Sequence, residues 1–433
     1  MKFYSTNNKS QKVSLRDAVI QGLAPDNGLY MPEAIAPLPK SFFDNIGSMS
    51  FQDMAYTVAN NLLQGDLPEA ELRRIVEHTL QFDAPLVKVE DQVYALELFH
   101  GPTMAFKDFG ARFMSQLLGY FAQQQDREVT ILVATSGDTG SAVANGFLGV
   151  PGTRVIVLYP SGKVSDVQEK QFTTLGQNIT ALEVSGTFDD CQHLVKQAFL
   201  DEDLRKQHFL TSANSINIAR LIPQSFYYFY AYSRLPDHKR PVVFSVSSGN
   251  FGNLTGGLLA QRMGLPVDQF IASTNINDSV PVYLRTAEFN PHPSRQTISN
   301  AMDVGNPSNF ARMQDLFNGS HDALAQAIEG HVFTDQQTSE AMRSVYKTSG
   351  YVLDPHGAVG YLGLKKHLEQ RKEPIHGVFL ETAHPGKFLE VVEDVLQTRV
   401  PLPATLQKFM TGKKQTIPMK NDFSAFKSFL ESI

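Results

Sequence analysis

A doubly wound α/β architecture is what this 433-residue chain predicts, on three observations. From Lys107 onward, short β-branched runs alternate with helical ones, the pattern of an open, mostly parallel sheet. Runs such as Val129-Thr130-Ile131-Leu132-Val133-Ala134 are apolar at nearly every position, as strands covered on both faces must be. The turns after such strands are rich in Gly, Ser and Thr and feed directly into helices, which puts polar loops at strand carboxyl ends, where open sheets bind ligands.

The elements follow in order. Residues 1–85 read as a mostly helical cap domain. Its segment Ala24-Pro25-Asp26-Asn27-Gly28-Leu29-Tyr30 is a tight turn, with Gly28 expected at positive φ. Helical patterns occupy 51–64 and 68–81, the second with Leu72, Ile75, Val76 and Leu80 on one stripe. Segments 86–89 and 92–98 read as a hairpin or paired strands. Core strands are expected at 129–134, 154–159, 179–184, 242–246, 270–273 and 377–380, with helices between them, so that the core spans 86–400. The Asn-, Pro- and Ser-rich stretch 285–312 is expected to run as a long excursion over the surface or over a site. Pro401 and Pro403 mark a boundary, and the tail 401–433 carries Lys408, Lys413, Lys414 and Lys420, expected as a solvated surface.

Composition narrows the function. A formal charge of −6 and a pI of about 6.1 argue against nucleic acid or an anionic membrane as partner and favour a small-molecule substrate. Cys191 stands alone, so an intramolecular disulfide is impossible and a reducing compartment is expected. The N-terminus has no apolar signal region, and no apolar run approaches the roughly 18 residues of a spanning helix. A cytoplasmic location is the resulting expectation.

Four loops carry candidate chemistry. The first is His100-Gly101-Pro102-Thr103-Met104-Ala105-Phe106-Lys107-Asp108-Phe109-Gly110. Gly101 and Pro102 make a turn, and Phe109, Phe113, Met114, Leu117, Leu118 and Phe121 recur at helical spacing, so Lys107 sits where a loop enters an amphipathic helix. Between Phe106 and Phe109 its amine would lose hydration, fall in pKa and become able to attack a carbonyl, a Schiff-base setting. The competing reading is a lysine that snorkels from a core helix. The second loop, Thr135-Ser136-Gly137-Asp138-Thr139-Gly140, presents N–H groups and hydroxyls at a helix start. It is either an anion site or an ordinary helix capped by Asp138 or Thr139.

The third loop is Ser247-Ser248-Gly249-Asn250-Phe251-Gly252-Asn253, whose glycines let backbone bend around an anion. It is neither a Walker A sequence nor a GxGxxG fingerprint, so a cofactor with one phosphate fits better than a nucleotide. Beside it in function stands Ala213-Asn214-Ser215-Ile216-Asn217-Ile218-Ala219-Arg220, in which Arg220 either forks onto a phosphate or is a surface arginine. The fourth loop, Glu381-Thr382-Ala383-His384-Pro385-Gly386-Lys387, follows a strand end. Thr382 can bond a ring nitrogen and Lys387 can add positive charge. His384 is expected as a loop or capping residue, because no second ligand stands at metal spacing.

These segments together, with Tyr4-Ser5-Thr6, residues 22–30, MDVGNPSNF at 302–310 and DPHGAVG at 354–360, resemble the fold-type II pyridoxal-phosphate enzymes of the tryptophan-synthase-β fold. Within that group they resemble the microbial threonine synthases, and the resemblance runs over nearly the whole chain. It implies two doubly wound open-sheet subdomains behind the cap, and pyridoxal 5'-phosphate bound through Lys107. It further implies Gly249, Asn250, Phe251 and Asn253 around the cofactor phosphate and Thr382 at the pyridine nitrogen. Ser136, Asp138 and Thr139 would hold the substrate carboxylate, and Asn214, Ser215 and Arg220 would face the substrate phosphate. The implied reaction is a γ-elimination and β-addition of water that turns O-phospho-L-homoserine into L-threonine and phosphate. The resemblance also suggests a monomer; no metal is expected, because no second ligand stands at metal spacing beside His384. Rival readings are a pyridoxal-phosphate dehydratase acting on serine or threonine, and a non-catalytic relative that binds phosphate or an amino acid. Relatives often carry Asn where this chain has Asp138, whose charge would leave only its backbone N–H for a carboxylate.

Overall fold

The computed structural model describes residues 1–63, 65–124 and 128–433. The chain begins with β1 (Lys2–Ser5), β2 (Asn8–Ser14) and β3 (Tyr30–Pro32), a small antiparallel sheet in the order β2-β1-β3. Sequence reasoning did not find it, because β2 reads Asn-Lys-Ser-Gln-Lys-Val-Ser and is largely exposed, so it has no apolar alternation to display. The expected helices of the cap are present as Phe51–Leu63 and Glu69–Thr79, and residue 64 lies outside the described residues. The second helix buries Leu72, Ile75 and Val76, the stripe that its periodicity displays. In the turn before β3 it is Asn27, at φ 63°, that takes the left-handed conformation, not Gly28. Gly28 is needed for a different reason: a Cβ there would stand 2.0 Å from Ser5 Oγ.

Two larger sheets follow. The remaining strands are β4 (Leu86–Glu90), β5 (Val93–Glu97), β6 (Val129–Ala134), β7 (Thr153–Pro160), β8 (Ile179–Ser185), β9 (Phe209–Ser212), β10 (Val242–Ser247), β11 (Gln269–Thr274), β12 (Ile328–Val332), β13 (His376–Glu381) and β14 (Ile417–Lys420). One sheet runs β12-β11-β10-β13-β5-β4, parallel except for the antiparallel β4–β5 pair, and the other runs β14-β8-β7-β6-β9, parallel throughout. Every strand expected in the core is found to within a residue at each end. Those missed are short or weakly buried: β12 has only Ile328 fully covered, and β14 contains Pro418, which only an edge position tolerates.

The helix Lys107–Ala122 fixes the seam between the sheets. The loop before it is stitched to the end of β13: Phe106 N donates to Thr382 O at 2.8 Å, His384 N to Met104 O at 3.1 Å, and Leu98 N to Glu381 O at 2.9 Å. The start of that helix is therefore locked to the end of one sheet, while its apolar face packs on helices of the other. The stretch 287–299 has no regular structure, and its residues 292–296 line the central cavity, so the excursion passes over a site.

The four lysines noted in the tail are exposed, as expected, yet the tail is built into the second sheet. β14 pairs in parallel with β8, Lys414 reaches Glu169 at 2.7 Å and Glu183 at 2.9 Å, and the helix Phe423–Glu431 buries Phe426 and Leu430. Truncating Phe426, which is 0% exposed, to Ala is expected to cost about 3–5 kcal/mol of stability in urea unfolding. An unchanged midpoint would mean that the tail does not share the core.

Candidate active site

The amine at the centre is held by local geometry. The helix begins at Lys107 with no side chain capping it, and Asp108 instead accepts from Thr103 N at 2.9 Å and Thr103 Oγ1 at 2.6 Å, which folds the preceding loop back on the helix. Gly101 permits this, because a Cβ there would stand 2.4 Å from Asp108 Oδ2. Lys107 Nζ lies 5.9 Å from the centre of the Phe106 ring. The ring of Phe109 packs within the core, against Phe51, Phe82 and Tyr227, so one flanking ring accompanies the lysine where two were expected.

The loop after β6 does not start its helix as either expected cap would. The N-cap is Gly137, at φ 138°, which has no side chain of its own to bond the first turn. Thr135 Oγ1 shapes the loop by accepting from Gly137 N at 2.9 Å and Gly140 N at 2.8 Å. Asp138 is unavailable for capping because a full charge claims it: Lys387 Nζ is 2.7 Å from its Oδ1, and Gln168 Nε2 donates to the same oxygen at 2.8 Å. Lys387 also donates to Thr103 O at 2.9 Å. The ion pair is closed to solvent, with Lys387 0% and Asp138 4% exposed.

Electrostatics follow from that burial. Burial pushes the Lys107 amine down from 10.5 to about 8; the Asp138 charge opposes the fall, while Lys387 and Arg220 add to it. For Asp138, burial alone would raise the pKa, but Lys387, Lys107 and Gln168 outweigh it and hold the carboxyl well below its usual range. An appreciable fraction of Lys107 is thus a free amine near neutral pH, beside a fixed carboxylate.

The loop after β10 enters the helix Gly252–Arg262 through Phe251, in the left-handed conformation at φ 58°, again without a side-chain cap. Asn253 stitches the loop, donating to Ser247 O at 2.8 Å and accepting from Ser248 Oγ at 2.8 Å. Asn250 donates to Ser215 Oγ at 2.6 Å and accepts from Ser308 N at 2.5 Å, tying this loop to the 214–220 turn and to the excursion. Arg312 is fully buried beneath them and donates to Ser215 O at 3.1 Å, Ile216 O at 2.7 Å and Tyr30 O at 3.1 Å. Arg220 is buried, at 3% exposed, and not on the surface. One of its nitrogens bonds Ala213 O, its Nε has no hydrogen-bond partner among the described residues, and burial brings its pKa down to about 10.

All twelve candidates from the sequence line one cavity of about 640 Å³: Lys107 from one helix start, Ser136, Asp138 and Thr139 from the second loop, Asn214, Ser215 and Arg220 from the turn after β9, Gly249, Asn250, Phe251 and Asn253 from the third loop, and Thr382. Thr382 is nearly buried just past the end of β13. His384 accepts from Gly386 N at 2.9 Å, the capping role expected of it. Sequence reasoning missed Gln168, which orients Asp138 from 30 residues away, and His356, which lines the cavity. The signal for His356 was the helix-start pair Asp354-Pro355 just before it.

The residues fit a phosphorylated aldehyde cofactor. Two helix starts open on the cavity with N-cap residues that make no side-chain bond to the first turn; Gly140 N and Leu254 N are taken by Thr135 Oγ1 and Asn253 Oδ1, and the N-terminal ends of both helices still favour an anion. Gly249 approaches so closely that a Cβ would stand 2.7 Å from Met302 Cα. In the cofactor-free protein, arylation of Lys107 by trinitrobenzenesulfonate, followed by peptide mapping across pH, is expected to show a midpoint near 8. Asp138→Asn should move that midpoint down and Lys387→Gln should move it up; a midpoint above 10 in every protein would contradict the account.

Comparison with known proteins agrees with this geometry. The family described as "Pyridoxal-phosphate dependent enzyme" matches residues 78–378, "Threonine synthase N terminus" matches 2–80, and "Threonine synthase, C-terminal" matches 357–430. Threonine synthase of Haemophilus influenzae is 46% identical over 431 residues, covering 99% of each chain. The crystal structure of threonine synthase from Escherichia coli superposes with a TM-score of 0.93 at 42% identity, covering 100% of both chains. The pyridoxal-phosphate-bound threonine synthase from Brucella melitensis gives 0.93 at 33% identity, covering 100% of this chain and 99% of that one. The chain belongs to the threonine synthase family of pyridoxal-phosphate-dependent enzymes.

Proposed function

We propose that this chain converts O-phospho-L-homoserine and water into L-threonine and phosphate, as a carbon–oxygen lyase acting on a phosphate ester. The observation that carries this reading is one desolvated amine facing two uncapped helix starts and a buried arginine across a single cavity. Two anion sites flanking an amine suit a cofactor phosphate and a substrate that has its own phosphate and carboxylate. When bound, pyridoxal phosphate supplies the electron sink that makes the substrate's α and β hydrogens acidic.

The residues divide the remaining work. Lys107 would hold the cofactor; its amine, free when substrate is bound, would take the α proton, pass it to the cofactor's aldehyde-derived carbon and, neutral again, take a β proton. Gly249, Asn250, Phe251 and Asn253 would cradle the cofactor phosphate, using backbone N–H groups because the Asn253 side chain is occupied within the loop. Thr382 would meet the pyridine nitrogen with a hydroxyl, which unlike a carboxylate does not hold that nitrogen protonated. Ser136 and Thr139 would bind the substrate carboxylate together with the N–H of Asp138, whose own carboxylate is committed to Lys387 and Gln168. Arg220, with Asn214 and Ser215, would face the departing phosphate and stabilise its developing charge.

Offered O-phospho-L-homoserine, serine and threonine separately, the purified protein is expected to release phosphate and form threonine from the first. Keto acid from serine or threonine, without phosphate release, would replace this reading with a dehydratase. Lys107→Ala is expected to lower turnover by at least about 10³-fold with the fold retained by circular dichroism. Arg220→Ala should lower kcat by about 10²–10³-fold. An Arg220→Ala enzyme with normal turnover would remove the arginine from the phosphate site.

A further inference from the structure

Under the cavity floor lies a polar cluster that the chemistry above does not use. Glu381, the last residue of β13 and the neighbour of Thr382, is 0% exposed, and neither of its carboxyl oxygens accepts a hydrogen bond from an N–H or O–H among the described residues. It presses on the start of the helix Pro355–Glu369, where a Cβ on Gly357 would stand 2.2 Å from its Oε2. Asp354, also 0% exposed, caps that helix, accepting from His356 N at 2.8 Å, from Gly357 N at 3.2 Å and from His356 Nδ1 at 2.5 Å. His356 Nε2 in turn accepts from Ala301 N at 3.2 Å. Ala301 and Met302 are the backbone against which Gly249 packs: a Cβ there would stand 2.9 Å from Ala301 O and 2.7 Å from Met302 Cα.

We propose that Glu381, Asp354 and His356 form a positioning relay, which ties the strand end that presents Thr382 to the turn that buttresses Gly249. The ring end and the phosphate end of the cofactor site are thereby set by one buried network. This inference rests on reading 249–253 as the phosphate cradle.

Proton positions along the relay are forced by its neighbours. Two buried carboxyl groups in contact cannot both ionise. Burial, then Asp354, pushes the Glu381 carboxyl well above its usual range; burial acts on Asp354 too, but the bonds from Glu381 and His356 hold it below. Glu381 therefore keeps a proton and donates it to Asp354, which supplies the partner its oxygens otherwise lack. Asp354, as the ionised member, accepts a hydrogen bond from the Nδ1–H of His356, and this leaves Nε2 as the acceptor that the Ala301 N–H requires. The other acid facing Glu381 is Glu97, itself bonded by Tyr351 Oη at 2.9 Å and His100 Nε2 at 2.8 Å. His384 faces Glu97 and Asp354 from the far side and is kept neutral by burial, its pKa brought down to about 4.

The sign of the pH effect follows. A proton held above the ordinary carboxyl value of 4.5 contributes stability that is complete below that value and is lost as pH rises toward the folded one. Glu381→Gln keeps a donor toward Asp354 without a titrating proton, so its melting temperature should gain on the wild type as pH rises from 5 to 9.

The test titrates apoprotein with pyridoxal phosphate and with pyridoxal, for the wild type, E381Q, H356F, H356Q and G249A. H356F keeps an aromatic ring for Phe388, 4.8 Å away, but offers no acceptor. It should weaken pyridoxal phosphate about 10-fold, the loss of one buried hydrogen bond, and pyridoxal far less. H356Q, whose amide oxygen can reach the Ala301 N–H, should recover most of that loss. Wild-type affinity in H356F, an equal loss for both ligands with no rescue by H356Q, or parallel pH profiles for the wild type and E381Q would overturn the relay. G249A reports on the underlying reading: if it binds pyridoxal phosphate as the wild type does, the cradle itself is misplaced, whereas weakened G249A with normal H356F rejects the relay alone.

Discussion

The buried ion pair between Asp138 and Lys387 is the constraint on which the site depends. Asp138 comes from the loop after β6 in one sheet and Lys387 from the segment after β13 in the other, so their 2.7 Å contact closes the seam between the two sheets. Removing two charges from water is costly, and further hydrogen bonds offset part of that cost: Gln168 on the carboxylate, and the carbonyl of Thr103 on the ammonium. Losing one partner of such a pair typically costs about 3–5 kcal/mol, because the other is left buried and unpaired. The same pair sets the field around Lys107. Its anion raises the affinity of that amine for a proton and its cation lowers it, so the residual shift is governed by how little water reaches the site.

Helix starts in this chain are of two kinds, and the cavity gathers three of the second. Helices that begin at Ser165, Thr187, Asp201 and Thr334 bond the first turn with the N-cap side chain, whereas those that begin at Pro39, Pro68 and Pro403 do not. Among the helices that open on the cavity, those that begin at Phe106, Gly137 and Phe251 have no such bond, while the one that begins at Asp354 has it. An unclaimed helix start is a small local cost and a standing affinity for anions. Strand carboxyl ends deliver these helix starts to one place, and Arg312 fastens the 214–220 turn and β3 behind them. Geometry of this kind lets one compact space hold several negative groups around a single amine.

Much of this was legible in the sequence, and the parts that were not have physical reasons. Fully buried strands such as β6 and β10 announce themselves because both faces are covered, so nearly every residue is apolar. The edge strands β2 and β14 carry polar residues or proline and gave no such signal. The loops themselves were legible, since glycine, serine and threonine at strand ends have a direct stereochemical meaning, and the resemblance picked out the twelve cavity residues within them. What stayed hidden was the side chain to side chain contact over long separations. Nothing local to Asp138 indicates that Gln168 and Lys387 will reach it, and Glu381 looks like a solvated acid until its burial against Asp354 is seen. Gly28 illustrates the converse: its presence in a turn was read correctly, but its cause is the proximity of Ser5, not its own φ.

The central claim is that the Lys107 amine, poorly hydrated and facing those helix starts, is the covalent anchor of pyridoxal phosphate. Borohydride reduction of the protein saturated with that cofactor, followed by digestion and mass mapping, tests it most directly. A pyridoxyl label on the peptide containing Lys107 is the predicted result. A label confined to any other lysine, or no label in protein shown to be folded, would contradict it.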